Sequence, residues 1–149
     1  MSNWYKIDDL LYRSAQFNEK GVQAIQKSGI KRVINLRQFH SDSQIAANTD
    51  LQLFQVGINP GRIKDSEIIK VLKIIKSSND PVLVHCWHGS DRTGVVVAMY
   101  RILFQDWEKE LAIEEMVNGG FGYHGIYKNL INYIRNVDLT SLRQQIEEG

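Results

Sequence analysis

The sequence predicts a single α/β domain over residues 1–149, with a mostly parallel central sheet flanked by helices. Three observations predict it. Strand-like and helix-like stretches alternate from end to end, the pattern that βαβ units leave in a sequence. The stretch "VLVHC" (82–86) is continuously apolar and β-branched, as a strand covered on both faces must be. A chain of 149 residues, 43% hydrophobic and 23% charged, is the size of one globular domain and can bury a substantial core.

Each element has its own signal. "LYRSAQ" (11–16) reads as an early strand running into a turn. Residues 18–28 form a short helix with Asn18 as N-cap and Gly29 after its end. "IKRVINLR" (30–37) carries a strand core at Val33, Ile34 and Leu36. "LQLFQVGI" (51–58) sets Leu51, Leu53 and Phe54 among polar residues, as a half-buried strand would. Ile68, Val71, Leu72 and Ile75 then recur at helical spacing, and Asp65, Ser66 and Glu67 suit the unpaired N–H groups of that helix's first turn. "SNDP" (78–81) ends this helix before the apolar strand. "TGVVVAMYRILF" (93–104) is ambiguous, because its valines favour a strand; its length and its Arg92-Thr93-Gly94 start favour a buried helix. "WEKELAIEEMVNGG" (107–120) is helical up to its glycines. Tyr127, Leu130, Ile131 and Ile134 place a helix over 126–137, and a last short one covers 139–147.

Composition narrows the function classes. A formal net charge of +1 gives no case for a general nucleic-acid binder. No apolar run approaches the ~20 residues that span a bilayer, so no integral membrane segment is expected. The start "MSNWYKIDDLLYRSAQ" lacks the regions of a signal peptide. The single cysteine, Cys86, cannot form an internal disulfide, which fits a reducing compartment. A cytoplasmic protein is the expectation, a removed leader aside.

The chemistry gathers in "VLVHCWHGSDRTGVVV" (82–97). Cys86 stands at the carboxyl end of the most buried strand, where α/β sheets bind their ligands. Between strand and helix runs Trp87-His88-Gly89-Ser90-Asp91-Arg92. If that loop curls around a point, its N–H groups converge there as an anion-binding nest, and the next helix aims its positive end at the same point. Gly89 supplies the backbone freedom for the curve. Arg92 can offer two parallel N–H donors to a tetrahedral anion. Helix N-termini and nearby cations stabilise a thiolate, the nucleophilic form. Residues 87–92 thus read as a phosphate cradle with Cys86 on its floor. His85 would brace the loop from behind, and Thr93 would set its hydroxyl near the sulfur.

This stretch resembles the signature of the cysteine-dependent protein tyrosine phosphatases: His-Cys, five residues, Arg, Ser/Thr. His85, Cys86, Arg92 and Thr93 fill the fixed positions, with Gly89 also in place. The chain's size, "LYRSAQ" and "GIKRVINLR" are similar to the compact dual-specificity branch and its small bacterial members. The resemblance implies a phosphotyrosine protein phosphatase II-like fold. It also implies cleavage of phosphate monoesters through a phosphocysteine intermediate, with neither cofactor nor metal. The implied partners are phosphorylated proteins, or phosphorylated lipids and inositols.

Such chemistry needs a proton donor for the leaving oxygen. Related phosphatases carry an aspartate on a separate loop before the cysteine. The corresponding window, "VGINPGRIKDSE", offers only Asp65, with the amide Asn59 where the acid is expected. Asp91 is the first choice, because "HCWHGSDRTG" resembles the in-loop aspartate form of myotubularin-type lipid phosphatases. The alternative is Asp65, which also suits a helix start. Asp91 could instead merely brace the loop.

Smaller signals have two readings each. His88 is expected on the rim; added charge there would favour multiply phosphorylated or lipid headgroup substrates. Arg13, Arg37, Arg62 and Lys64 either guide an anion or are solvated charge. "NGGFGYHGIY" (118–127) is expected to be a helix–helix turn whose aromatics fill the core. Its alternative is a loop beside the pocket, with Phe121, Tyr123 or His124 touching substrate. Trp4, Trp107 and Tyr133 are packing residues. His85, Cys86 and His88 are too crowded on a strand end to suggest a metal site. A tyrosine or dual-specificity protein phosphatase is the leading function, with phosphoinositide or inositol phosphate hydrolysis second. A phospho-ligand binding module is the non-enzymatic alternative. A rhodanese-like sulfur transferase fits His85 and the Arg92-Thr93 pair less well.

Overall fold

Residues 1–148 are described by a computed structural model. A five-stranded sheet runs through the molecule in the order β1-β2-β5-β3-β4. The strands are β1 (Tyr5–Lys6), β2 (Leu11–Ser14), β3 (Arg32–Asn35), β4 (Gln52–Gln55) and β5 (Val82–His85). The helices are α1 (Glu19–Lys27), α2 (Asp65–Lys76), α3 (Arg92–Gln105), α4 (Lys109–Asn118), α5 (Lys128–Asn136) and α6 (Leu139–Glu147). Four strands are parallel; only β1 pairs antiparallel, on β2.

Register follows from the two-residue period of the strands. On β5, Val82 and Val84 face the larger apolar cluster and Leu83 the smaller one, and all three are fully buried. Ile34 and Val33 of β3 divide in the same way. Helix α1 contributes Val22 and Ile25 to the smaller cluster, while helices α2–α6 build the larger one on the opposite face. Each fully buried side chain of this kind contributes roughly 1.5–3 kcal/mol.

Helix α1 begins at Asn18, whose side chain accepts from the Gly21 N–H, and Gly29 follows it at φ +80°. The α2 stripe of Ile68, Val71, Leu72 and Ile75 is completely buried. The ambiguous valine run is helix α3, buried along almost its whole length and ended by Asp106 at φ +58°. Its lack of a polar face is why its pattern resembled a strand.

One strand was not expected, and two expectations are corrected. β1 carried no apolar pattern because both its residues are exposed at the sheet edge. β4 is the opposite edge: Phe54 packs on the larger cluster, but Leu53 is 39% exposed. Tyr127 does not open the α5 stripe; it precedes the helix and faces a cavity. Among the described residues, no helix is long and apolar enough to cross a membrane.

Candidate active site

The carboxyl ends of β3 and β5 and the amino end of α3 surround a cavity of about 470 Å³. Cys86 lines it, although only 2% of the residue is exposed. A nearly buried sulfur that still reaches the cavity is its floor. Trp87, His88, Asp91 and Arg92 continue the lining from the loop. Arg37 and Phe39 enter from the segment after β3, Pro60 from the segment after β4, and His124, Ile126 and Tyr127 from the stretch before α5.

The loop holds its carbonyls outward. Trp87 O accepts from the Gln16 N–H at 3.0 Å, and His88 O accepts from Asn3 Nδ2 at 3.0 Å. Gly89 O accepts from Arg13 at 2.9 Å. The N–H groups of residues 87–92 find no acceptor among the described residues. Peptide N–H and C=O point in opposite directions, so outward carbonyls turn the donors inward as a nest. Gly89 makes the curl at φ +74°, with the backbone at the end of β2 so close that a Cβ would lie 2.7 Å from the Ser14 carbonyl and 2.6 Å from the next nitrogen, that of Ala15. Ser90 Oγ donates to Phe121 O at 2.5 Å and fixes the far side of the loop.

Arg92, the first residue of α3, lines the same cavity and donates to Ile58 O at 3.3 Å. Thr93 is fully buried, and its Oγ1 has no hydrogen-bond partner among the described residues. Arg37 lies with its guanidinium 4.4 Å from the Trp87 ring centroid and donates to Gln16 Oε1 at 2.9 Å. Burial, and then the charge of Arg92, pull the Arg37 pKa below its ordinary value. Two cations that disfavour each other share this cavity, and an anion between them relieves the repulsion.

Behind the loop, His85 is fully buried. Its Nε2 meets Asp42 Oδ2 at 2.5 Å, and its Nδ1 lies 3.3 Å from Cys86 O. Asp42 also accepts from Gln16 Nε2 at 3.1 Å. Burial works to raise the Asp42 pKa, but the hydrogen bond and charge of His85 outweigh it and hold the carboxyl below its ordinary value. Asp42 therefore stays ionised and anchors the histidine that precedes the thiol.

Among the described residues, Asp91 is the one carboxylate that lines the cavity. Its Oδ1 accepts from the His124 N–H at 2.8 Å, and its Oδ2 lies 2.7 Å from His124 Nδ1. Asp65, the alternative acid, does not line the cavity: it opens α2 and accepts from the Tyr133 hydroxyl at 2.7 Å. A helix-start carboxylate and a catalytic one look alike in sequence. Asn59 accepts from the Gly61 N–H in a local turn. Tyr133 is therefore more than packing, whereas Trp4 stacks on Tyr12 and Trp107 lies against Arg101 as packing residues do.

The stretch 118–127 is a further correction. It is a loop beside the pocket rather than a core-filling turn, with Ile126 84% exposed and His124 in the lining. Another is Arg13, which is 1% exposed rather than solvated. Its guanidinium stacks 3.7 Å from the Phe121 ring centroid, and burial pulls its pKa down to about 10, still cationic near neutrality. Arg62 and Lys64 do not line the cavity. Sequence reading missed Asp42 altogether; nothing in "RQFHSDSQ" marks it.

Comparison with known proteins agrees with this geometry. The model of the tyrosine phosphatase family matches residues 1–145. The chain belongs to that family. The phosphatase is 34% identical over 149 residues to the dual specificity protein phosphatase TpbA of Pseudomonas aeruginosa, covering 99% of this chain and 68% of TpbA. The crystal structure of TpbA matches with a TM-score of 0.89 at 33% identity, over 98% of this chain and 91% of that one. The inositol diphosphatase DSP3 of Arabidopsis thaliana is 26% identical over 153 residues, 96% of this phosphatase and 73% of its relative.

Proposed function

We propose that this phosphatase hydrolyses phosphotyrosine and other phosphoprotein esters through a phosphocysteine intermediate. One observation carries the reading: Cys86 floors a cavity ringed by inward-turned amides, with Arg92 in the same wall. A phosphoryl group bound there meets the sulfur in line. The Cys86 thiolate forms the S–P bond as the ester P–O bond breaks. The amides of Trp87, His88, Gly89, Ser90, Asp91 and Arg92 and the Arg92 guanidinium hold the three equatorial oxygens, where positioning and charge stabilisation supply most of the catalysis. The Asp91–His124 pair supplies the proton to the leaving oxygen and then takes one from the attacking water. The unpartnered Thr93 hydroxyl hydrogen-bonds the departing sulfur when the S–P bond breaks. His85, held by Asp42, keeps the floor in place.

Similarity to TpbA, a dual specificity protein phosphatase, supports a phosphoprotein substrate. So does a crystal structure of a TpbA cysteine-to-serine variant in complex with pTyr, which matches at a TM-score of 0.89. A second reading, an inositol phosphate or phosphoinositide substrate, is favoured by Arg37, His88 and His124 beside Arg92 in one cavity, and by the likeness to an inositol diphosphatase. A panel of phosphotyrosine, phosphoserine and phosphothreonine peptides, inositol phosphates and phosphoinositides, compared by kcat/KM, decides between them. The phosphotyrosine peptide should lead; a higher value for an inositol phosphate would move the assignment to the second reading.

A further inference from the structure

We infer that the proton donor to the leaving group is His124, and that Asp91 is its positioning partner rather than the acid itself. The inference rests on the phosphocysteine reading and assigns a residue to one of its steps. Its basis is how Asp91 is occupied. Both carboxylate oxygens point at His124, one toward its backbone N–H and one toward its ring Nδ1. The backbone N–H can only donate, so Oδ1 must be an acceptor. Oδ2 at 2.7 Å from a ring nitrogen suits the short, charge-assisted contact of carboxylate and imidazolium. A carboxylate held in this way has no proton facing the substrate.

The ring it holds does. His124 lines the cavity and its side chain is 46% exposed. With Nδ1 turned to Asp91, Nε2 is the remaining N–H, and it bonds no described residue. A carboxylate on one ring nitrogen fixes the tautomer and the orientation of the other. The remaining groups facing His124 do not compete well. The ring of His88 lies 5.0 Å away, centroid to centroid, but no carboxylate among the described residues orients it. The Tyr123 hydroxyl donates to Tyr127 O, and burial together with the Asp91 charge pushes its pKa up to about 12. Tyr127 lies at the N-terminus of α5. Arg37 and Arg92 are the cavity's fixed cations, and Cys86 is the nucleophile.

The steps balance. As the thiolate bonds to phosphorus, the ester oxygen leaves with the P–O electron pair and takes the proton from His124 Nε2, which becomes neutral. Neutral His124 then removes a proton from the attacking water. The new P–O bond forms, the S–P electron pair returns to sulfur, and inorganic phosphate leaves.

The test is leaving-group dependence joined to pH–rate profiles. The variants are His124→Gln, Asp91→Asn and His88→Gln, assayed with p-nitrophenyl phosphate and phenyl phosphate. Positioned acids contribute roughly 10²–10⁴-fold. His124→Gln should lose about that factor on phenyl phosphate, lose far less on p-nitrophenyl phosphate, and lack the alkaline limb of kcat/KM. Asp91→Asn should keep the alkaline limb but lose rate, because the ring has lost the carboxylate that orients it. Equal losses on both esters in His124→Gln would overturn the inference, since only proton donation discriminates by leaving group. Retention of the limb in His124→Gln, with its loss in Asp91→Asn or His88→Gln, would overturn it as well. Cys86→Ser, run alongside, tests the phosphocysteine reading separately: turnover in that variant sinks the reading whatever His124 does.

Discussion

Gly89→Ala probes the curl that turns the loop amides inward. Gly89 sits at φ +74°, a conformation that costs an L side chain about 1–2 kcal/mol. The added Cβ would also lie 2.6 Å from the Ala15 nitrogen and 2.7 Å from both the Ser14 carbonyl carbon and its oxygen, well inside the 3.4 Å where ordinary contact begins. All three atoms are backbone, and Ser14 is paired with His85 in the sheet, so the loop must give way. The control is Gly29→Ala, at φ +80° with nothing within 4 Å of its Cβ. Gly29→Ala should lose only the conformational term. Gly89→Ala should lose about 3 kcal/mol, which lowers Tm by roughly 6–12 °C in a domain of this size. A displacement of the cradle by an ångström costs about 10²-fold in rate. Thermal unfolding followed by circular dichroism and kcat/KM on p-nitrophenyl phosphate read both effects. If Gly89→Ala matched Gly29→Ala in Tm and kept wild-type activity, the crowded, inward-facing loop would be wrong.

Three further outcomes are expected. The Asp42 pKa is depressed in the folded state, so its contribution is complete above pH 3.8 and is lost as pH falls below that value. Asp42→Ala should cost about 3 kcal/mol and flatten that acid part of the stability curve; an unchanged curve in denaturant titrations from neutral pH to pH 2 would count against the Asp42–His85 pair. Arg13→Met keeps much of the stacked bulk but leaves Gly89 O without its charged donor, so it should lower stability by about 1.5–3 kcal/mol and lower kcat more than it raises KM. Arg37→Ala should raise KM for dianionic esters, and the effect should shrink as salt is added; a KM equal to wild type at low ionic strength would remove Arg37 from substrate attraction.

The loop was legible in sequence because its chemistry is contiguous. Strand end, thiol, glycine, arginine and hydroxyl fall within residues 85–93, and each residue type has one obvious use there. The β5 run and the α2 stripe were legible because period and burial agree. What sequence hid are the partners that tertiary structure supplies. Asp42 meets His85 across 43 positions, and His124 meets Asp91 across 33. Arg13 looked like surface charge because a buried arginine is readable only with its stacking ring and carbonyl in view. Asp65 met the spacing expected of an acid, but α2 and Tyr133 use its carboxylate. The glycine-rich stretch before α5 was hard to place because its aromatics suit either a core or a pocket rim.

The account stands on covalent chemistry at one sulfur. Rapid acid quench during turnover of p-nitrophenyl phosphate, followed by peptide mass spectrometry under acidic conditions, measures it directly. One phosphoryl group attached to Cys86 in wild type, and none in Cys86→Ser, is the predicted result. A phosphoryl group on another residue, or steady turnover in Cys86→Ser, would contradict it.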